Sequence, residues 1–393
     1  MKILIRSVLL ISFVLLAIIV VASCGRSTDV IEQVYYDQEG FIVFDFNDHN
    51  TVAILYLSEF VKEIEYIPLE TNSACLIGEI DKVLIDKNFI YVLDKRIANA
   101  AFVFDMEGRF IKQLGRKGEA EGEYMELGEM TLIGESQIMI YDHIRQLMVV
   151  FENLEYSYTQ KIDWKSSNIQ ELDGYFYHNP FLAKYNDKGA GPYELFISNN
   201  ESVIIESHFE YPSVRDVAYE KRNVFRFYDD SVLFIPPFYN KVFSIKGQKI
   251  SPRYFLNFGD KQLPIEDTYS YEALSDALKN YGHMGDTFLE NQQHVFFEAS
   301  YLKPSSKYCL YNKKESVFKF SSKMINDVDS LVHFKFDNFN GDFAYGALSP
   351  VDLIAAITQK ENLAKKKLDD SRLKMSETSD NPVIAVYHFV RPS

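Results

Sequence analysis

The stretch Ile-Tyr-Val-Leu-Asp at residues 90–94, followed after a short polar loop by Phe-Val-Phe-Asp at residues 102–105, decides the fold of this chain. Short runs of β-branched and aromatic residues bounded by turn residues are typical of β-strands. The turn Met-Glu-Gly at residues 106–108 leads into a further strand, and residues 82–85 form an earlier one. The pattern therefore predicts a unit of four antiparallel strands in roughly 35 residues.

The same unit recurs along the chain at a nearly constant spacing. Its third strand ends near Phe104, Phe151, Ile197 and Ile245, which gives steps of 47, 46 and 48 residues. Units of about 40–50 residues with four strands each are typical of β-propeller blades. Two later copies of the third strand, at residues 308–311 and 383–389, follow longer steps. The six copies predict an all-β, six-bladed β-propeller over residues 58–393.

Two inserted segments account for the longer steps, and both have helical patterns. Residues 267–281 place an apolar stripe on one helix face, formed by Tyr271, Leu274, Ala277, Leu278 and Tyr281. Residues 350–377 follow Ser349, a suitable N-cap, and begin with Pro350 at the first helical position. We therefore expect two helical insertions in the propeller.

The last blade lacks an outer strand of its own, which predicts how the ring closes. Residues 383–389 are a third strand, and only four residues follow them. Residues 61–69 form a spare strand ahead of the first blade, and pairing the two strands leaves no exposed sheet edge. Residues 24–57 then remain as a predicted tether with some extended structure at 41–46.

The N-terminus predicts export. Residues 1–23 read as a signal peptide, with Lys2 and Arg6 ahead of a long apolar run. The alternative, a transmembrane helix, needs about 20 apolar residues, and this run is shorter. It ends in Val-Ala-Ser-Cys at residues 21–24, which resembles the lipobox of bacterial lipoproteins. We expect a lipid on Cys24 that holds the protein in the cell envelope, at the outer membrane. The sequence does not predict whether the protein faces the periplasm or the cell surface.

Charge and cysteine content restrict the partners further. The net charge is −15, and removing Lys2 and Arg6 gives −15 − 2 = −17, which argues against a nucleic-acid partner. Cys75 and Cys309 remain once Cys24 is acylated. Export permits a disulfide between them, and two buried free thiols are the alternative.

Several segments together resemble a known family. They are Glu-Ile-Glu-Tyr-Ile-Pro-Leu-Glu-Thr at 63–71, the blade-one unit with Asp94 and residues 102–105, Gly-Arg-Lys-Gly-Glu-Ala-Glu-Gly-Glu-Tyr at 115–124, and Asn-Pro-Val-Ile-Ala-Val-Tyr at 381–387. They resemble the six-bladed β-propeller lipoproteins of Bacteroidetes, distant relatives of NHL-repeat propellers. The resemblance implies the fold and an envelope location, and it implies no catalytic residue.

The sequence contains no hydrolase, zinc-protease, dithiol or phosphate-loop motif, so it predicts no catalytic residue, metal or cofactor. In antiparallel blades, the links between blades and the loops between second and third strands share one face. That face collects the predicted ligand-binding residues Arg96, Arg116, Lys117, His143, Arg145 and Lys188. They could hold an anionic or polyhydroxyl ligand. The alternative is that these cations balance nearby Glu and Asp side chains.

Three functions are consistent with these features. The first is a non-catalytic binding or scaffold lipoprotein that captures a glycan or peptide. The second is a lyase or hydrolase of the NHL-propeller type, with a metal-assisted site at the central channel. The third is an assembly module that docks an envelope protein partner through its helices. A propeller scaffold supports all three, so the fold alone does not choose between them.

Overall fold

The computed structural model describes residues 34–181, 191–212, 215, 223–303, 306–331, 334–341, 343–355 and 380–390. In chain order the strands are β1 Tyr35–Tyr36, β2 Ile42–Asp45, β3 Leu55–Tyr56, β4 Val61–Pro68, β5 Lys82–Ile85, β6 Phe89–Asp94, β7 Ala100–Asp105, β8 Phe110–Gln113, β9 Leu127–Ile133, β10 Gln137–Asp142, β11 Leu147–Glu152, β12 Glu155–Lys161, β13 Ser166–Leu172, β14 Tyr175–Pro180, β15 Tyr193–Asn199, β16 Ile204–Glu210, β17 Phe225–Tyr228, β18 Ser231–Phe234, β19 Lys241–Lys246, β20 Lys249–Asn257, β21 His283–Glu290, β22 His294–Ser300, β23 Ser306–Asn312, β24 Val317–Ser321, β25 Met324–Ile325, β26 Asn338–Phe339, β27 Phe343–Leu348 and β28 Val383–Phe389. Helix α1 is Tyr271–Asn280, and short 3-10 turns occupy Asp48–Asn50, Leu57–Glu59, Gly259–Lys261 and Ile265–Thr268.

The strands form six blades, as the repeat predicts. Blades one to three are β5–β8, β9–β12 and β13–β16, and blades four and five contain β17–β20 and β21–β24. Blade six has the order β26-β27-β28-β4. The predicted third strands are β7, β11, β15, β19, β23 and β28, so the spacing of the repeat is confirmed.

The N-terminal strand β4 closes the ring, as predicted. It pairs antiparallel with β28 over a register that runs from Val383 opposite Pro68 to Phe389 opposite Val61. The Asn381 side chain adds a second connection between the last blade and the first, through hydrogen bonds. Its Oδ1 accepts from the Ile77 N–H at 2.9 Å, and its Nδ2 donates to the carbonyl of Cys75 at 2.7 Å.

Apolar faces of neighbouring blades pack against each other around the ring. Between blades one and two, for example, Tyr91 and Val103 belong to the same buried cluster as Ile140 and Val149. These side chains alternate with those that face the other neighbour, since successive residues of a strand point to opposite faces of the sheet. Burying one large apolar side chain stabilises the fold by about 1.5–3 kcal/mol, so these contacts are the main source of stability.

Residues 34–57 of the predicted tether pack against the propeller. Strand β2 pairs parallel with β20 at the outer edge of blade four, and β3 pairs parallel with β25. Phe44 is fully buried, and its ring lies 5.1 Å from that of Tyr254 and 4.8 Å from that of Phe318. This part of the chain therefore fills the contact between blades four and five.

Both predicted insertions contain a helix: α1 begins at Tyr271, inside the predicted segment 267–281, and the second begins at residue 350, as predicted. Helix α1 lies in the link between blades four and five, and the Ser270 hydroxyl accepts from the Ala273 N–H at 3.2 Å. Leu274 and Ala277 are buried, whereas Tyr271 is 80% exposed, so the predicted stripe is only partly buried. The second helix is seen over residues 350–355, and residues 356–377 lie outside the described part of the chain.

Cys75 and Cys309 are both buried free thiols. Burial raises the pKa of each thiol above its ordinary value. Within the described ranges, no helix has the length and apolar character needed to cross a membrane.

Candidate functional site

One end of the propeller, here called the link end, carries the links between blades and the loops between second and third strands. Asn99, in the β6–β7 loop, connects the two kinds of segment. Its Nδ2 donates to the carbonyl of Met125 at 3.0 Å, and its Oδ1 accepts from the Leu127 N–H at 2.9 Å. Helix α1 lies in a link, and residues 350–355 lie in a second-to-third-strand loop, so both belong to this end.

A concave site at the link end, here called the basic cleft, lies over blades one to three and has a volume of about 580 Å³. Its lining includes the side chains of Lys95, Arg96, Lys117 and His143, together with Glu126. Three of the predicted ligand-binding residues, Arg96, Lys117 and His143, are therefore brought together. Backbone and hydroxyl groups near Ser166 and Ser167 complete the wall.

A buried aspartate positions the loop that carries Lys95 and Arg96. Asp94 is fully buried at the end of β6. Its Oδ1 accepts from the N–H groups of Ile97 and Ala98 at 2.9 and 3.0 Å. Its Oδ2 accepts from the N–H groups of Gly78 and Glu79 at 2.7 and 3.0 Å. One carboxylate thus fixes both the loop within blade one and the link that precedes this blade.

Asp142 repeats this arrangement at the end of β10. Its Oδ1 accepts from the N–H groups of Ile144 and Arg145, and its Oδ2 accepts from the Met125 N–H at 2.7 Å. Burial raises the pKa of this carboxyl, but the N–H donors and the Arg145 guanidinium outweigh burial, so the net shift is downward. The carboxylate is ionised at neutral pH and holds the His143 loop in place.

Arg96, Arg116 and Arg145 are paired with acidic or carbonyl groups, as the alternative interpretation predicts. Arg96 lies 3.3 Å from a Glu79 oxygen and 3.6 Å from an Asp81 oxygen. Exposed Arg116 binds Glu123 at 2.5 Å and does not line the cleft. Arg145 donates to Asp142 at 2.7 Å and to the carbonyl of Glu123 at 2.5 Å, so it holds the link loop rather than facing a ligand.

Lys117 and His143 have fewer partners among the described residues than the three arginines have. Lys117 is exposed and forms no ion pair with any other described residue. The Nε2 of His143 lies 3.5 Å from a Glu126 oxygen, and its buried Nδ1 has no hydrogen-bond partner among the described residues. Gly128 allows this close packing, because a Cβ there would lie 3.0 Å from the His143 Cβ. The remaining predicted residue, Lys188, lies outside the described residues.

A second concave site, here called the channel cavity, lies in the central channel at the end opposite the link end. It has a volume of about 390 Å³, and all six blades contribute to its wall. Its polar lining includes Lys82, Gln170, Arg226, Gln292 and Asn340. This site is not among those predicted from the sequence. Its signal in the sequence is a polar residue between apolar ones on a first strand, as in Phe-Arg-Phe-Tyr of β17.

A smaller cavity of about 260 Å³ lies among blades four, five and six. Asp286, Glu298, Asp337 and Lys335 line it. Burial raises the pKa of Glu298, which accepts from the Thr287 hydroxyl at 3.2 Å. Across the described ranges, His, Cys, Asp and Glu side chains form no group of three or more that could hold a metal ion.

A solved structure shares this fold, and a family model matches the sequence. A crystal structure from Bacteroides fragilis, described as a "Putative exported protein", is 16% identical with a TM-score of 0.66, and the match covers 89% of this chain and 100% of that one. A member of the DUF4221 family from Bacteroides vulgatus is 9% identical with a TM-score of 0.44, covering 84% and 97%. No curated protein matches the sequence. The family described as "Domain of unknown function (DUF4934)" matches residues 41–388, and the chain belongs to this family.

Proposed function

We propose that this protein is a lipid-anchored, non-catalytic binding protein of the bacterial envelope whose basic cleft holds an acidic glycan. One observation carries the proposal. A chain of net charge −15 brings Lys95, Arg96, Lys117 and His143 around a single concave site. These four basic side chains outnumber Glu126, the acidic side chain of the same lining, and a cleft with an excess of one sign of charge attracts ligands of the opposite sign.

The contacts within the cleft favour Lys117 and His143 as ligand-binding groups. Arg96 already has two carboxylate neighbours, whereas Lys117 has no ionic partner among the described residues. The buried Nδ1 of His143 has no partner in the described part of the chain, and a bound water or ion is one explanation of such an atom. The hydroxyl of Ser167 lies in the same wall and suits a sugar hydroxyl group.

A binding experiment tests this site. A chain that begins at residue 25 keeps every described element, and it would be titrated with hexagalacturonate and with a neutral hexasaccharide. We expect tighter binding of the acidic sugar and a loss of at least about tenfold in the Lys117→Gln, His143→Gln double variant, equal to about 1.4 kcal/mol. Lys279→Gln, a similarly exposed lysine on α1, is the matched control. Equal affinity in the double variant and the control would rule out this cleft as the glycan site.

Binding at the cleft should also weaken with salt, because exposed charges are screened over about 10 Å at 0.1 M ionic strength. Measuring the affinity again at 0.05 and 0.5 M salt tests this expectation independently of the variants. A peptide of the same charge serves as the competing ligand class. If the peptide binds and the glycan does not, the binding function stands with a different ligand.

The anchor is proposed from residues 21–24, which lie outside the described residues. A protein of the same fold from Bacteroides fragilis is described as a "Putative exported protein", which is the same class of location. We expect wild-type protein in the membrane fraction with a lipid-modified Cys24, seen by mass spectrometry of the N-terminal peptide. Cys24→Ser should release the protein from the membrane. An unmodified Cys24 in membrane-bound protein would contradict the lipoprotein interpretation.

A further inference from the structure

Arg226 is an unusual residue in the channel cavity. It lies on β17 and is 3% exposed, so its charge is removed from water. Its guanidinium donates to the backbone carbonyls of Asn223 at 3.1 Å and Phe225 at 3.0 Å. Longer contacts of 3.4 Å reach the carbonyls of Phe288 and Asp286. These carbonyl oxygens accept from four of its five N–H groups without neutralising its charge.

The carboxylates around Arg226 do not form an ion pair with it. Among the described residues, no carboxylate oxygen lies within 4 Å of its guanidinium, in contrast to Lys82 and Lys335. Glu129 is bound to Lys82 at 2.8 Å, and Asp337 is bound to Lys335 at 3.0 Å. A buried charge without a close counter-ion is costly, and an anionic ligand would remove that cost.

The guanidinium also has hydrogen-bonding capacity for a ligand. Its fork of five N–H donors matches a carboxylate in two-point geometry. The contacts of Nε and Nη2 at 3.4 Å are longer than ordinary N–H···O bonds and hold these donors weakly, so a carboxylate can compete with the two carbonyls for them.

The rest of the wall suits a hydroxylated molecule. The amides of Gln292 and Asn340 stand on the exposed rim and make no side-chain hydrogen bond to another described residue. Phe227 and Tyr228 contribute aromatic surface from β17. A volume of about 390 Å³ falls within the range of small-molecule pockets.

We propose that the channel cavity is a second binding site, for a small hydroxylated carboxylate such as a single uronic acid, with Arg226 receiving the carboxylate. The rim amides bind the hydroxyl groups. This site is separate from the basic cleft and lies at the opposite end of the propeller. The proposal for the channel cavity can therefore be tested independently of the proposed function.

Calorimetric titration of the full chain in detergent with D-glucuronate tests the site, with D-glucose as the neutral match. We expect glucuronate to bind at least tenfold more tightly than glucose. Arg226→Lys keeps the charge but loses the two-point fork, and it should weaken glucuronate binding at least tenfold. Asn340→Trp narrows the mouth of the channel cavity from an exposed rim position. It should therefore also weaken glucuronate binding at least tenfold, without affecting the fold.

The Lys117→Gln, His143→Gln variant separates this site from the basic cleft. Glucuronate binding that survives in this variant and is lost in Asn340→Trp supports the channel site. Absence of glucuronate binding to the wild type at 10-millimolar concentrations overturns the proposal, as does unchanged affinity in Asn340→Trp. Loss only in the cleft variant also overturns it. If thermal unfolding shows that Arg226→Lys fails to fold, the Asn340→Trp result decides the question alone.

Discussion

Replacing Asp94 by Asn should destabilise the propeller more than any exposed substitution. The carboxylate is fully buried and accepts four backbone N–H groups, two on each oxygen. Asparagine keeps one acceptor oxygen and turns an NH₂ group towards the other two donors. Each buried donor left without a partner costs about 1–3 kcal/mol, so the expected loss is about 2–6 kcal/mol. That is a large part of the stability of a typical domain, which is about 5–15 kcal/mol.

Urea unfolding of the chain from residue 25, followed by circular dichroism, measures this loss. Asp276→Asn is the matched control, since the Asp276 carboxylate is exposed on α1 and pairs with the exposed Lys279. Such surface changes stay within about 0.5 kcal/mol. The variant should also release the loop that carries Lys95 and Arg96, seen as faster amide hydrogen exchange at Ile97 and Ala98. A loss below about 1 kcal/mol would refute the reasoning, because it would mean that the donors find other partners.

Two further predictions concern residues 34–57 and the buried histidine of blade three. Phe44→Ala should cost about 3–5 kcal/mol in the same urea assay, because the ring is fully buried between blades four and five. Tyr36→Ala, at a position that is 72% exposed, is its control, and equal effects would mean that this segment adds no stability. Burial lowers the pKa of His178 to about 3, so its neutral form is favoured in the folded state. Stability should therefore fall as the pH drops below the ordinary histidine value of about 6.5, by about 1.4 kcal/mol per pH unit from this group. His178→Gln should lose about 2–3 kcal/mol less than the wild type between pH 6.5 and 4.5, and parallel pH profiles would contradict the assignment.

Local patterns account for the parts of the fold that the sequence predicts. The run at residues 90–94 and its later copies combine strand-forming side chains with turn residues, and both are properties of neighbouring positions. The spacing of third strands then requires six blades, and a last blade with a missing strand requires closure by β4. None of these steps needs knowledge of contacts between distant side chains.

The packing of residues 34–57 depends on distant contacts instead. Strand β2 pairs with β20, and the Asn257 amide donates to the Asp45 carboxylate across 212 positions in the chain. A short apolar run such as residues 41–46 is compatible with a tether or with an added strand, and its own pattern does not distinguish them. The choice is made by the open edge of blade four and by the aromatic contacts of Phe44.

The position of a polar residue within a blade separates structural from ligand-binding candidates. An aspartate that ends a second strand, such as Asp94 or Asp142, is buried and bound by backbone N–H groups. A cation three residues later, such as Arg145, is then drawn to that carboxylate, so its charge does not reach a ligand. Some polar residues on first strands, such as Gln170 and Arg226, face the channel, where ring closure brings together side chains from all six blades. The strand position of Arg226 therefore makes it a candidate, and the count of basic residues at the link end could not have found it.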